Sequence, residues 1–234
     1  MLSKFARLTA ALGVGAALYA GAAQAIVLDL DGSTSNPSNV TLVWQFNNVD
    51  GANLSASALF QLDTLSATQA VFVVNVANNT LSQPGDNRFV SFGIDNVTPN
   101  LTGASVSNPG TGNVAVSWGA SRNDTFPGFQ KVELCLWAGQ NCSGGSNSGL
   151  VEGAVDSFVL TLTGSFTGTV AFDAPFPSKW QAVGNAGNSW ELAGCIQGDT
   201  SCVRVPPVQI VPEPGTLALL GFAFAGIGFA RRRR

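Results

Sequence analysis

One segment alternates apolar and polar residues so regularly that few folds can accommodate it. In NLSASALFQL the apolar side chains are Leu54, Ala56, Ala58, Phe60 and Leu62, and the residues between them are largely polar. Successive side chains of a β-strand point to opposite faces of the sheet. The segment therefore predicts a strand that packs against a core on one side and faces water on the other.

Other short runs, alternating or fully apolar, lie between clusters of Gly, Asn, Pro and Ser, and few stretches show the period of an amphipathic helix. About ten strands joined by such loops fit two packed sheets better than one open sheet. We therefore predict an all-β fold, an antiparallel β-sandwich with jelly-roll-like character. The other runs are IVLDL, VTLVWQF, TQAVFVVNVA, RFVSFGI, NVAVSW, KVELCLWA, DSFVLTLTG, TGTVAFDA and NSWELAG.

The N-terminal residues 1–25 have the composition of a secretory signal peptide. Lys4 and Arg7 precede an apolar run, and Ala23 and Ala25 form a small-x-small cleavage site. The alternative is an N-terminal membrane anchor, but the apolar run is short for a membrane span. We expect signal peptidase to cleave after Ala25, which would export the rest of the chain.

Residues 26–203 are predicted to form the exported domain, which is long enough to bury its own core. Between residues 26 and 211, five basic side chains stand against thirteen carboxylates, a net charge of −8. An acidic surface argues against nucleic acid and against anionic lipid headgroups as partners.

All four cysteines lie in this domain, as two pairs with six residues between the members of each pair. An even number of cysteines in an exported chain predicts disulfides. Three pairings are possible, and the matched spacing favours the local ones, Cys135 with Cys142 and Cys195 with Cys202. A four-cysteine zinc site is the alternative, but zinc-binding cysteines are usually closer together in sequence.

The chain contains no histidine, which excludes Ser-His-Asp and Cys-His enzymes. A pair of carboxylates could still hydrolyse glycosides, and this is an alternative function. No motif singles out any acid, so we predict no catalytic residue, no cofactor and no metal site. The available acids are Asp124, Glu133, Glu152, Asp156, Asp173 and Glu191.

The segment DLDGS, with Asp29, Asp31 and Gly32, suggests comparison with a calcium-binding loop. An EF-hand loop would need a glutamate at its twelfth position, where Val40 stands. The segment therefore predicts a turn after the first strand, and a calcium site built from distant loops stays an alternative.

The five tryptophans are the residues that a carbohydrate-binding protein would use, since an exposed ring can stack on a sugar. Trp44 and Trp118 lie in apolar strand patterns and are predicted to be core residues. Trp137, Trp180 and Trp190 lie near loops and are the candidate contacts for a glycan such as an exopolysaccharide.

The C-terminal part of the chain changes character in two steps. Residues 204–211 are rich in proline, which predicts an extended stalk. Residues 216–230 are fifteen uncharged residues, which as a helix would reach about 22 Å, less than the roughly 30 Å hydrocarbon core. The following basic residues, Arg231, Arg232, Arg233 and Arg234, can reach the headgroups and favour the cytoplasmic side. We predict a single transmembrane helix with the domain outside and the arginines inside.

Residues 212–234 are similar to the PEP-CTERM sorting signal of Gram-negative bacteria. The resemblance rests on Pro212, Glu213 and Pro214, followed by the apolar segment and the arginines. It implies that an exosortase, an integral membrane enzyme, recognises the Pro-Glu-Pro motif, removes the hydrophobic tail and passes the protein outward. The stretches LSASALFQL, CLWAGQNCSGGSNSGL and PFPSKWQAVG further resemble the uncharacterised cistern subgroup, which implies no biochemical activity.

These observations predict a non-enzymatic exported protein that is held in the inner membrane, with a periplasmic domain, until an exosortase processes it. Its destination would be the cell surface or the extracellular biofilm matrix. The first alternative is a glycan-binding β-sandwich module, and the second is the carboxylate hydrolase.

Overall fold

The computed structural model describes residues 25–32, 37–107, 116–144 and 148–199, and its regular elements are all β-strands. All pairings between these strands are antiparallel, which confirms the predicted all-β antiparallel class. The strands are β1 (Ala25–Leu28), β2 (Asn39–Val49), β3 (Ala52–Leu65), β4 (Gln69–Asn78), β5 (Gly85–Ile94), β6 (Asn96–Thr98), β7 (Gly103–Ser107), β8 (Trp118–Thr125), β9 (Lys131–Ala138), β10 (Val155–Thr163), β11 (Val170–Asp173), β12 (Phe176–Val183) and β13 (Asn188–Ile196).

No helix in these described ranges has the length and apolar character needed to span a membrane. The predicted transmembrane segment 216–230 and the stalk 204–211 lie outside the described residues, as does the signal peptide apart from Ala25. These three assignments stay predictions.

The period-two pattern of the sequence matches the burial of the strands. In β3, the alternating apolar residues from Leu54 to Leu62 are all buried, while their neighbours are exposed or partly exposed. Three strands, β6, β7 and β12, were not predicted from the sequence. Residues 113–115 of the predicted strand 113–118 lie outside the described residues, and its last residue, Trp118, begins β8, which continues to Thr125.

Ten strands form one sheet in the order β7-β10-β4-β3-β2-β13-β12-β5-β9-β8, and three form a second sheet in the order β1-β11-β6. Strand β13 joins the two halves of the larger sheet. Its first part pairs with β12, and its end pairs with β2 through Cys195 and Ile196. The larger sheet is therefore continuous, although it consists of two five-stranded halves.

Aromatic side chains from the two halves meet in one core. Phe92 of β5 contacts Trp44 of β2 and Phe60 of β3, with ring centroids 5.3 and 6.2 Å apart. Trp118 of β8 lies 5.0 Å from Phe158 of β10. The two halves thus pack face to face, much as two layers of a sandwich do.

The three-stranded sheet packs on the same core. Phe172 of β11 lies 5.3 Å from Phe60 and 5.5 Å from Phe72, measured between ring centroids. Leu28 of β1 and Val97 of β6 are fully buried beside it. The small sheet therefore covers apolar surface that the large sheet leaves open.

The terminal strands of the large sheet, β7 and β8, lie next to each other without a ladder of hydrogen bonds between them. Arg122 of β8 crosses this gap, because its Nη1 donates to the carbonyl of Thr102 at 2.5 Å. The larger sheet nearly closes on itself. The structure thus differs from the predicted sandwich of two separate sheets, because twist and the bridging strand β13 make the two layers one sheet.

Candidate functional site

A polar cleft of about 270 Å³ lies where β6, β8 and β9 come together. Four separate segments of the chain supply its walls. They are the junction of β5 and β6, the loop that follows β6, the middle of β8 and the beginning of β9. The lining residues are Asp95, Asn96, Asn100, Leu101, Arg122, Asn123, Lys131, Val132 and Glu133.

Glu133 of β9 holds the cleft together. Its two carboxylate oxygens accept the backbone N–H groups of Val97 at 2.8 Å and Leu101 at 2.6 Å. Its own N–H donates to the carbonyl of Asp95 at 2.9 Å. Charged acceptors make stronger hydrogen bonds than neutral ones, so this residue fixes β6 and the following loop against β9.

Two cations of the cleft have no carboxylate partner among the described residues. Among the described residues the ion pairs join Arg88 to Asp86 and Lys179 to Glu191, whereas Arg122 and Lys131 pair with no acid within 4.0 Å. The Nε of Arg122 is also buried and, within the described part of the chain, meets no acceptor. A buried donor without a partner is unusual and requires an explanation.

Asp95 has an altered acidity. Its burial, and then repulsion from the carboxylate of Asp173, raise the pKa of Asp95 above its ordinary value of 3.8. Asp173 is oriented by Asn96, whose Nδ2 donates to it at 2.7 Å. The cleft therefore combines two cations, the anchoring carboxylate of Glu133 and one carboxyl group that holds its proton more tightly than usual.

The six acids that the sequence offered for catalysis all have hydrogen-bonding or ion-pairing partners within the fold, and only Glu133 lines the cleft. The carboxyl group with the raised pKa, Asp95, was not among them. The partners are Ser121 for Asp124, Val97 and Leu101 for Glu133, Asn87 for Glu152, Trp118 for Asp156, Asn96 for Asp173 and Lys179 for Glu191.

The division of the tryptophans into buried and exposed side chains differs from the prediction at one position. Trp44 and Trp118 are buried, as predicted. The assignment of Trp180 as a glycan contact is corrected, because its side chain is 0% exposed in the core and its Nε1 donates to Ser178 at 3.1 Å. Loop proximity misled the prediction, since β12 was not recognised as a strand.

The remaining two candidate tryptophans are partly exposed. Trp190 packs on the edge of the core, and its Nε1 donates to the carboxylate of Asp50 at 2.7 Å. Trp137 lies on the outer face of β9, where its indole covers Gly119 of β8. A Cβ on that glycine would lie only 2.6 Å from the ring. Trp137 thus combines a fixed position with a partly exposed ring.

The disulfide between Cys135 and Cys142 is confirmed, with a Cα–Cα distance of 6.1 Å. Both cysteines belong to a small outer cluster of buried residues with Phe126 and Val132. Cys195 is also disulfide-bonded, while Cys202 lies outside the described residues, so this second pairing stays a prediction.

Of the other predicted site residues, only some lie within the described ranges. The DLDGS segment does form a turn, since the N–H of Gly32 donates to the carboxylate of Asp29 at 2.8 Å. Ala25 begins β1, opposite Asp173 of β11. The following predicted site residues lie outside the described ranges: Ala23, Pro212, Glu213, Pro214, Arg231, Arg232, Arg233 and Arg234.

Asp95, Arg122 and Lys131 were missed as site residues because nothing in the linear sequence marks them as a group. The signal that was available is electrostatic: in a domain with few cations, two of them stand on either side of one turn. That turn joins β8 to β9, and both side chains line the cleft beside it.

The fold and the cleft define an all-β antiparallel protein with a polar surface site. The particular class comes from the C-terminus, where a family model described as the PEP-CTERM protein-sorting motif matches residues 211–234. The chain thus carries a PEP-CTERM sorting motif, which implies an exported protein that is a target of an exosortase. Comparison with curated proteins and with solved structures found no match.

Proposed function

We propose that this chain is a non-enzymatic exported protein, anchored in the inner membrane until an exosortase processes it, and then placed at the cell surface or in the biofilm matrix. The observation that carries the proposal is the sorting motif at residues 211–234. The motif follows a β domain whose candidate catalytic acids have partners within the fold. That arrangement supports a structural or binding role for the exported domain.

The sorting step has a physical rationale in the sequence. Pro212 and Pro214 flank Glu213, and proline fixes φ and removes a backbone donor. Such a sequence disfavours helix formation and suits an enzyme that binds its substrate as an extended strand. The charge of Glu213 then supplies the recognition element.

Replacing Glu213 with Ala tests the sorting step. We expect the variant to stay in the membrane fraction with its C-terminal arginines, as the parent chain should in a strain that lacks the exosortase. Cell fractionation with intact-mass analysis measures both. Asp63→Ala, which removes an exposed carboxylate from β3, is the control and should be released normally. Normal release of Glu213→Ala would contradict the proposal.

A glycan-binding role is the second candidate function, and Trp137 favours it. Its ring is partly exposed and rests on the backbone of an edge strand, as a platform for stacking on a sugar requires. We expect Trp137→Ala to weaken binding of the exported protein to the exopolysaccharide of its own host. Trp190→Phe, which keeps an aromatic ring at the other partly exposed site, is the control.

The same preparations test the non-enzymatic assignment. Incubation with chromogenic glycosides should release no chromophore above the rate without protein. Turnover that disappears in Asp95→Asn would contradict the assignment and would support the carboxylate hydrolase instead.

A further inference from the structure

We propose that the polar cleft between β6, β8 and β9 binds one uncharged sugar ring through its hydroxyl groups, with the Nε–H of Arg122 as one of the donors. This inference rests on the glycan-binding candidate and gives that function a site and a ligand class. The site is separate from Trp137, which does not line the cleft.

The charges of the cleft favour a neutral ligand. Arg122 and Lys131 can only donate hydrogen bonds, whereas the carboxylates of Asp95 and Glu133 accept them. An anionic ligand would be repelled by the two acidic side chains, and a cationic ligand would be repelled by the two basic side chains. A hydroxyl group both donates and accepts, so a ligand with several hydroxyls can satisfy both kinds of residue at once.

Arg122 supplies the strongest geometric argument. Its Nη1 is held by the carbonyl of Thr102 at 2.5 Å, which restrains the plane of the guanidinium group. Its Nε is buried and has no acceptor among the described residues. Leaving a buried donor unsatisfied is costly, so a ligand oxygen that accepts this N–H after a small shift of the arginine gains affinity.

The other walls of the cleft fit a small polar ligand. Leu101 and Val132 are its apolar lining residues, and both are almost fully buried. Asn100 and Asn123 add amides, which can donate and accept. The volume of about 270 Å³ is just below the roughly 300 to 1,000 Å³ of small-molecule sites, so the cleft suits one sugar ring rather than an oligosaccharide.

The test is titration of the exported protein with the methyl glycosides of glucose, galactose and mannose, with glucuronic acid as the charged comparison. Nuclear magnetic resonance of arginine Nε–H groups reports binding at Arg122 directly. We expect at least one neutral glycoside to shift the Arg122 signal. Arg122→Lys keeps the charge but removes this N–H, and should weaken binding about tenfold.

Arg88→Lys is the matched control, because Arg88 also carries a buried Nε with no acceptor in the described residues but lies outside the cleft. It should leave the affinity unchanged, and thermal denaturation checks that both variants fold.

If sugars bind equally to Arg122→Lys and the parent protein, and binding is lost in Trp137→Ala, the cleft is not the site although glycan binding stands. Preference for glucuronic acid at Arg122 would make it an anion site and overturn the inference. If no sugar binds, both the inference about the cleft and the glycan-binding function are overturned. The sorting proposal is tested separately, by the release of the Glu213→Ala variant.

Discussion

The environment of Asp95 makes the stability of the fold depend on pH. Because burial and Asp173 raise its pKa, the folded protein binds this proton more tightly than the unfolded chain does. The free energy of unfolding therefore loses a contribution as pH rises from the ordinary value of 3.8 through the folded pKa. We expect Asp95→Asn to raise the melting temperature at pH 7 by a few degrees, with the difference disappearing in acid below that ordinary value.

Thermal denaturation over a series of pH values measures this effect. Arg122, Lys131 and Glu133 line the same cleft as Asp95, so the comparison must keep them unchanged. Asp63→Asn is the control, since Asp63 is an exposed carboxylate on β3. A lower melting temperature for Asp95→Asn at pH 7 would mean that its charge is stabilised in the fold.

At the scale of elements, the disulfide fastens the loop after β9 to the outer face of the large sheet. The hydroxyl of Ser91 in β5 donates to the carbonyl of Cys142 at 2.8 Å, and Gly144 lies against Lys179 of β12. Because a short closed loop restrains the unfolded chain modestly, Cys135→Ser with Cys142→Ser should lower the free energy of unfolding by about 2 to 3 kcal/mol. Urea denaturation measures the loss, and an unchanged midpoint would show that the loop holds its place without the bond.

The sequence predicts elements well where one face of a strand meets the core and the other meets water, as in β3. It fails at β12, because Phe176 to Trp180 are buried on both faces. The outer face is covered by the disulfide-bonded loop, and Lys179 is buried through its pairing with Glu191. Because no strand was predicted here, Trp180 was placed near a loop and assigned to the surface.

The cleft could not be predicted from the sequence either, and the reason differs from that for β12. Its walls come from segments around residues 95–96, 100–101, 122–123 and 131–133, and only the register of β5 and β8 against β9 brings them together. Hydrophobic pattern specifies which face of a strand is buried, but many pairings of ten or more strands satisfy the same pattern. The order of strands in the sheet therefore has to come from the structure.

At the scale of the whole molecule, Phe92 links the two halves of the large sheet. Its ring lies within 6.2 Å of Trp44 and Phe60 from one half and 5.9 Å from Trp118 in the other. We expect Phe92→Ala to lower the free energy of unfolding by about 3 to 5 kcal/mol, since it opens a cavity between two layers. Leu81→Ala, on an exposed side chain, is the control for urea denaturation and should change stability by less than about 0.5 kcal/mol. Equal effects of the two variants would show that the halves are held together by other contacts.

The position of β1 bears on when the predicted signal peptide is removed. The predicted signal peptidase cut falls after Ala25, the residue of β1 that lies opposite Asp173. The backbone around that bond cannot occupy a peptidase and pair with β11 at the same moment. We therefore expect cleavage at the predicted site to precede the docking of Ile26 to Leu28 onto the small sheet, where Leu28 is buried. Pairing of β1 with β11 would then report that the predicted signal peptide has been removed.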